Sequence, residues 1–249
     1  MRYSGKEFDG EGVVVAVIDS GIDEADTRFQ NTSVQGWRVR LKATNHVVVD
    51  GVFSDENGHG TEVAAAVLRH APKASLISIR IMDKKLRTSA DLMAVGIETA
   101  YKSGAHVINL SLGTPNMGKA MLLRDCCIMA QEAGVIMVAS AHPKGQRAYP
   151  ADIPEVIGVS SQPECAEKMY YFDENFYPRK EWKGLSGKFL TGGREVQSNI
   201  NTYRGVGFAA AHISGRFACL RQALPKAPPS ELIAIMQRRA FLPTVELGY

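Results

Sequence analysis

The sequence predicts an α/β fold, a doubly wound and mostly parallel sheet with helices on both faces. Three observations lead there. Short continuous apolar runs, such as residues 13–18 and 135–139, suit strands buried on both faces of a parallel sheet. Segments of helical length separate these runs, which is the alternation that winds such a sheet. At 249 residues with 45% hydrophobic content, the chain is long enough for one large domain spanning residues 1–249.

The elements follow in order. Residues 10–21 read G-E-G-V-V-V-A-V-I-D-S-G, a buried strand with Asp19 at its C-terminal end, where open α/β sheets place ligands and catalytic groups. Residues 28–54 are polar and irregular apart from a short V-V-V strand at 47–49. In D-E-N-G-H-G-T-E-V-A-A-A-V, residues 55–67, Gly58 and Gly60 flank His59 at the start of a helix, leaving its ring free to face a cleft. A strand at about 75–81 precedes a helix at 89–103 with Leu92, Val95 and Thr99 on one face. Further strands are read at 105–112, 135–141 and 155–160, with a helix ending near Ala133 between the first two. The alternation then stops. Residues 162–200 are charged and aromatic, a loop packed by its own side chains or a partner-binding surface. A last helix begins at Pro228-Pro229-Ser230 with Leu232, Ile235 and Met236 at core spacing.

Composition excludes several classes. With 29 Lys+Arg against 26 Asp+Glu, scattered along the chain, nothing points to nucleic acid. No apolar stretch is long enough to span a membrane, and the N-terminus lacks the apolar core of a signal peptide, so the chain reads as cytoplasmic, with no visible signal peptide or propeptide. Cys126, Cys127, Cys165 and Cys219 lack metal-ligand spacing and read as reduced thiols. No cofactor or metal is called for.

Residues 203–215, Y-R-G-V-G-F-A-A-A-H-I-S-G, run from glycines straight into a helix whose N-terminus offers unpaired N–H groups and a positive dipole end. This segment resembles G-T-S-M-A-[AS]-P-H-[VI]-[AS]-G of the subtilisin-like serine proteases (subtilases, peptidase S8). Residues 58–64 resemble the family's G-H-G-T-H-V-A, with Glu62 for the second histidine. A-P-K-A-S-L at 71–76, N-L-S-L-G at 109–113 and Y-P-A-D-I-P-E-V-I-G-V at 149–159 also resemble family segments in the expected order.

The resemblance implies a subtilisin-like fold and a triad in the chain order aspartate, histidine, serine. Asp19 and His59 match the first two. The nucleophile's place falls to Gly207, with Val206, Phe208 and Ala211 for the family's threonine, methionine and proline. The family's oxyanion asparagine is matched by His142, and its peptide-pairing strand by Ser111, Leu112 and Gly113. In subtilisin, loss of the oxyanion donor costs about 10²–10³ in turnover and loss of the serine about 2 × 10⁶, so the glycine decides the question.

The leading expectation is therefore a pseudoprotease, a serine peptidase homologue that binds a peptide or protein, its partner being a substrate-like ligand, an active protease or a second copy of itself. The alternative is an active subtilisin-like serine endopeptidase whose serine has been replaced by glycine at position 207. Asp19, His59 and His142, if they converged, would also form a zinc-type ligand set. A retained catalytic pair beside a changed residue accounts for them better.

Overall fold

The computed structural model describes residues 1–42, 46–162, 165, 169–174, 176, 187–192, 196–197, 202–203 and 205–240. Its strands are β1 (Arg2–Tyr3), β2 (Lys6–Glu7), β3 (Val14–Asp19), β4 (Val34–Leu41), β5 (Val47–Asp50), β6 (Ser75–Arg80), β7 (Val107–Leu110), β8 (Ile136–Ser140), β9 (Ile157–Ser161), β10 (Tyr170–Asp173), β11 (Lys188–Thr191), β12 (Val196–Gln197) and β13 (Thr202–Tyr203). The α-helices are α1 (His59–Leu68), α2 (Ala90–Lys102), α3 (Ala120–Glu132), α4 (Val206–Ala223) and α5 (Pro229–Arg239).

Nine strands form the main sheet in the order β10-β11-β9-β8-β7-β3-β6-β4-β5. The seven from β11 to β4 pair in parallel, and antiparallel β10 and β5 close the two edges. The period of two along β3 shows why both faces need cover. Val15 and Val17 enter the core under α1, α4 and α5, whereas Ala16 and Ile18 enter the core under α2 and α3. The chain leaves β3 for β4 and β5 at one edge, returns to β6 beside β3, and then crosses to β7 on the other side of β3. This reversal puts the usual ligand crevice at the carboxyl end of β3.

Helix α4 runs through the larger core, with residues 208–221 all buried. Small residues permit this depth. A Cβ on Gly215 would lie 2.4 Å from the Val67 carbonyl oxygen, so glycine lets α4 lie directly on α1.

Several sequence expectations need correction. Residues 34–41 form the long strand β4, which V-Q-G-W-R-V-R-L disguises because its polar residues Gln35, Arg38 and Arg40 occupy a strand near the sheet edge. Of the expected α2 face only Leu92 is buried, Val95 and Thr99 being half-buried, and the rest of its buried side is carried by Met93, Ala94, Ile97 and Ala100. The sheet also continues past the point where alternation stops, since β11 pairs in parallel with β9. There Tyr170 and Phe172 pack against Phe189 with ring centroids 6.0 and 5.0 Å apart. Most of the remaining aromatic segment, residues 175 and 177–186, lies outside the described residues. All four cysteines are free, with Cys126 half-buried and the others buried. Among the described residues, no helix is long and apolar enough to cross a membrane.

Candidate active site

The site forms where β3, β7 and β8, adjacent in the sheet, reach their C-terminal ends. Asp19 ends β3 and is fully buried. His59 opens α1, and its Nδ1 lies 2.7 Å from Asp19 Oδ1. A carboxylate only accepts, so Nδ1 carries the hydrogen and the neutral ring keeps its lone pair on Nε2. Asp19 Oδ1 also accepts from the Ser20 amide at 2.7 Å, while Oδ2 is buried with no hydrogen-bond partner among the described residues.

Close backbone approach makes the pair possible. A Cβ on Gly60 would lie 2.2 Å from the Gly21 carbonyl oxygen and 3.1 Å from Asp19 Cβ, so only glycine lets the first turn of α1 settle against the end of β3. Gly58, at φ 97°, makes the left-handed entry into the helix.

A carboxylate four residues before the histidine holds this junction. Asp55 accepts from the Ser20 hydroxyl (2.9 Å), the Asn57 and Gly58 amides (2.9 Å each), the Thr61 amide (2.9 Å) and the Thr61 hydroxyl (2.6 Å). Ser20 Oγ in turn accepts from the Gly60 amide at 2.9 Å. The neighbours of Asp19 and His59 are thus tied to one anchor. Burial alone would raise the Asp55 pKa, but these donors together lower it. For His59, burial opposes the cation most strongly. The charge and hydrogen bond of Asp19, with Asp55 behind, outweigh it and hold the pKa above the ordinary histidine value.

Gly207 is the second residue of α4, and its neighbour Phe208 packs edge-on against the His59 ring with centroids 5.8 Å apart. Ser111, just past β7, reaches the same point. Its hydroxyl donates to the Gly207 carbonyl at 2.9 Å and accepts from Asn109 Nδ2 at 2.9 Å, and Asn109 Oδ1 accepts from Ser214 Oγ at 2.9 Å. Ser214 thus faces β7 and is committed there. Leu112 and Gly113 continue outward beyond β7, Leu112 buried and Gly113 exposed, before Thr114 bridges Tyr149.

His142 follows β8 and is half-buried. Its Nδ1 accepts from the Lys144 amide at 3.2 Å, which leaves Nε2–H as the donor of a neutral ring. Among the described residues, no three His, Cys, Asp or Glu side chains gather to hold a metal ion, so the zinc-type set of Asp19, His59 and His142 does not assemble.

Glu62 has a structural assignment that the sequence alone did not supply. It is buried in α1 and takes a bidentate ion pair from Arg28, with both N···O distances 2.7 Å. Asp55 and Ser20 were likewise missed. The Asx-turn signal in D-E-N-G, an aspartate accepting from amides two and three residues on, could have identified Asp55.

The geometry therefore offers an oriented imidazole base, a donor at His142 and an exposed strand end beside a helix N-terminus, the parts of an acyl-transfer site. Comparison with known proteins identifies the family and the fold. Over 232 residues the chain is 28% identical to Subtilisin BL of Lederbergia lenta, covering 87% of this chain and 78% of that protein. It is 28% identical over 233 residues to the minor extracellular protease Epr of Bacillus subtilis, covering 87% of this chain but only 33% of Epr. Sphericase superposes with a TM-score of 0.75 at 23% identity, over 93% of this chain and 84% of that one. A cold-adapted subtilisin-like serine proteinase superposes at 0.72 and 20% identity, over 96% and 86%. The subtilase family's profile matches residues 10–248, and the chain belongs to the subtilase family, peptidase S8.

Proposed function

We propose that this subtilase homologue is a pseudoprotease, which binds a peptide or protein segment across the ends of β3, β7 and β8 without cutting it. The observation that carries the reading is glycine at position 207. In subtilases a residue at the start of the helix beside the catalytic histidine supplies the nucleophilic hydroxyl; this reading assigns that place to Gly207, the second residue of α4, whose neighbour Phe208 packs on His59 and which has no side chain to offer. The nearby hydroxyls have other partners, Ser111 on the Gly207 carbonyl and Ser214 on Asn109. Ser111, Leu112 and Gly113 would pair with the backbone of the ligand by strand addition. The ligand belongs to a substrate-like peptide, an active protease or a second copy of this chain, met in the cytoplasm.

One observation favours a second reading, an active serine endopeptidase from which a serine at 207 has been replaced. The Asp19–His59 hydrogen bond, at 2.7 Å, is intact and holds the imidazole as a serine's general base requires. Treating Gly207→Ser and the unaltered protein with a fluorophosphonate, read by intact mass, separates the two. Labelling of the serine form, abolished by His59→Ala, favours the second reading. A folded serine form that stays unlabelled supports the pseudoprotease.

A further inference from the structure

The loop after β6, which carries Lys84 and Lys85, is joined to the start of α1 at His59 through a side chain. Asn57 makes the link, since its Nδ2 donates to the Lys84 carbonyl at 3.1 Å while its Oδ1 accepts from the His59 amide at 3.2 Å. The loop is a fixed turn. Asp83 Oδ1 accepts from the Lys85 and Arg87 amides at 2.8 and 3.0 Å, its Oδ2 pairs with Arg87 at 2.7 Å, and half-buried Leu86 packs into the core under α2. Asp83 and Arg87 neutralise one another, as do Glu56 and Arg80 at 2.8 Å.

Lys84 and Lys85 remain. Both are exposed, and neither forms an ion pair with another described residue. Lys144, exposed two residues past His142, adds a third charge at the C-terminal end of the sheet, where the site lies. The exposed carboxylates of Asp23 and Glu24 belong to the turn that joins α1 at Thr61, through the Asp23 amide and Thr61 Oγ1 at 3.0 Å. The carboxylates nearest His59, Asp19 and Asp55, are turned inward onto His59 and the donors around Asn57 and Thr61, so the exposed charges on the Asn57 side that lack an ion-pair partner among the described residues are those of Lys84 and Lys85.

We propose that the site selects an acidic peptide, with Lys84 and Lys85 as the residues that determine the preference and Lys144 reinforcing them. This rests on the reading of the site as a peptide cleft. A carboxylate side chain passing the turn would meet two ammonium groups whose backbone is already ordered, so the freedom lost on binding is that of the lysine side chains alone. The lysines should speed association as well as tighten it, and salt should weaken both effects.

The test uses the whole protein and two fluorescein-labelled decapeptides, one carrying three glutamates and the other glutamine at those positions, with binding read by anisotropy. The glutamate peptide should bind about five- to twentyfold more tightly at low salt, as two partly exposed ion pairs allow. The preference should vanish at 1 M salt and reverse in Lys84→Glu/Lys85→Glu. Equal binding of the two peptides would overturn the acidic preference and leave the peptide cleft standing. A preference that survives the double variant would overturn the role of these lysines. Binding of neither peptide would remove the cleft, and this proposal with it.

Discussion

Gly60→Ala probes how closely the histidine-bearing helix must approach the aspartate-bearing strand. The new methyl would lie 2.2 Å from the Gly21 carbonyl oxygen, whereas carbon and oxygen in favourable contact sit at about 3.3 Å. Roughly 1 Å must come from moving the start of α1 away from the end of β3, and the 2.7 Å His59–Asp19 hydrogen bond spans that gap. Overpacking of this size costs about 1–3 kcal/mol. In a domain of this length that lowers the melting temperature by about 2–12 °C. Gly51→Ala serves as the control, because nothing lies within 4 Å of its added carbon. The second readout is the His59 ring followed by NMR against pH. Its pKa, held up by Asp19, should fall as the contact lengthens. A Gly60→Ala protein that melts with the control and keeps the His59 titration would refute the argument that this contact sets the pair's geometry.

Two further outcomes follow from buried charge. Arg28→Ala would strip both hydrogen bonds from Glu62, whose side chain is 7% exposed, and should lower stability by about 1–3 kcal/mol in denaturant unfolding. Arg28→Ala with Glu62→Gln should recover part of that loss. His70 lies 3.1 Å from His212, and burial, then the Arg216 charge, then His212 push its pKa down to about 2. The folded value is below the unfolded one near 6.5, so its contribution to stability is complete above about pH 6.5 and is lost as pH falls from there. Melting temperature measured from pH 7 to 5 should drop less steeply in His70→Asn than in the unaltered protein.

How legible the sequence was depended on where each residue gets its partners. Strands β3, β6, β8 and β9 could be read because their neighbours lie on both sides and demand unbroken apolar runs. Strand β4 could not, since Arg38 and Arg40 pair with Asp50 on β5, and that pairing is invisible before the chain folds. The site shows the same division. Asp19 and His59 are marked by a strand end and by flanking glycines, Gly58 for its left-handed turn and Gly60 for its close approach to Gly21, and the structure brings them together. Arg28 and Glu62 are 34 residues apart, and Ser111 meets Gly207 across 96, so nothing local records either contact. Glu62 read as drift from the family pattern until Arg28 accounted for it.

The proposal that position 207 has lost a nucleophile has a stability test of its own, since Gly207→Ala asks whether the site has adjusted to glycine there. Alanine normally gains up to about 1 kcal/mol over glycine in a helix. Here its Cβ would lie 3.1 Å from Ser111 Cβ and 3.5 Å from Ser111 Oγ. Ser111 cannot easily give way, because Asn109 and the Gly207 carbonyl hold its hydroxyl from two sides, and Ser214 fixes Asn109. A surrounding that has closed on glycine should charge the methyl with an overpacking cost of about 1–3 kcal/mol, more than the helix gain. The net effect on urea unfolding is then a loss of stability. A surrounding shaped for a serine would accept the methyl, and Gly207→Ala would unfold at equal or higher urea. The second result would count against long-standing loss of the hydroxyl and towards a protease recently deprived of it. The first would mean that the space around position 207 has been rebuilt without a nucleophile, so restoring serine there would bring back the atom without its room.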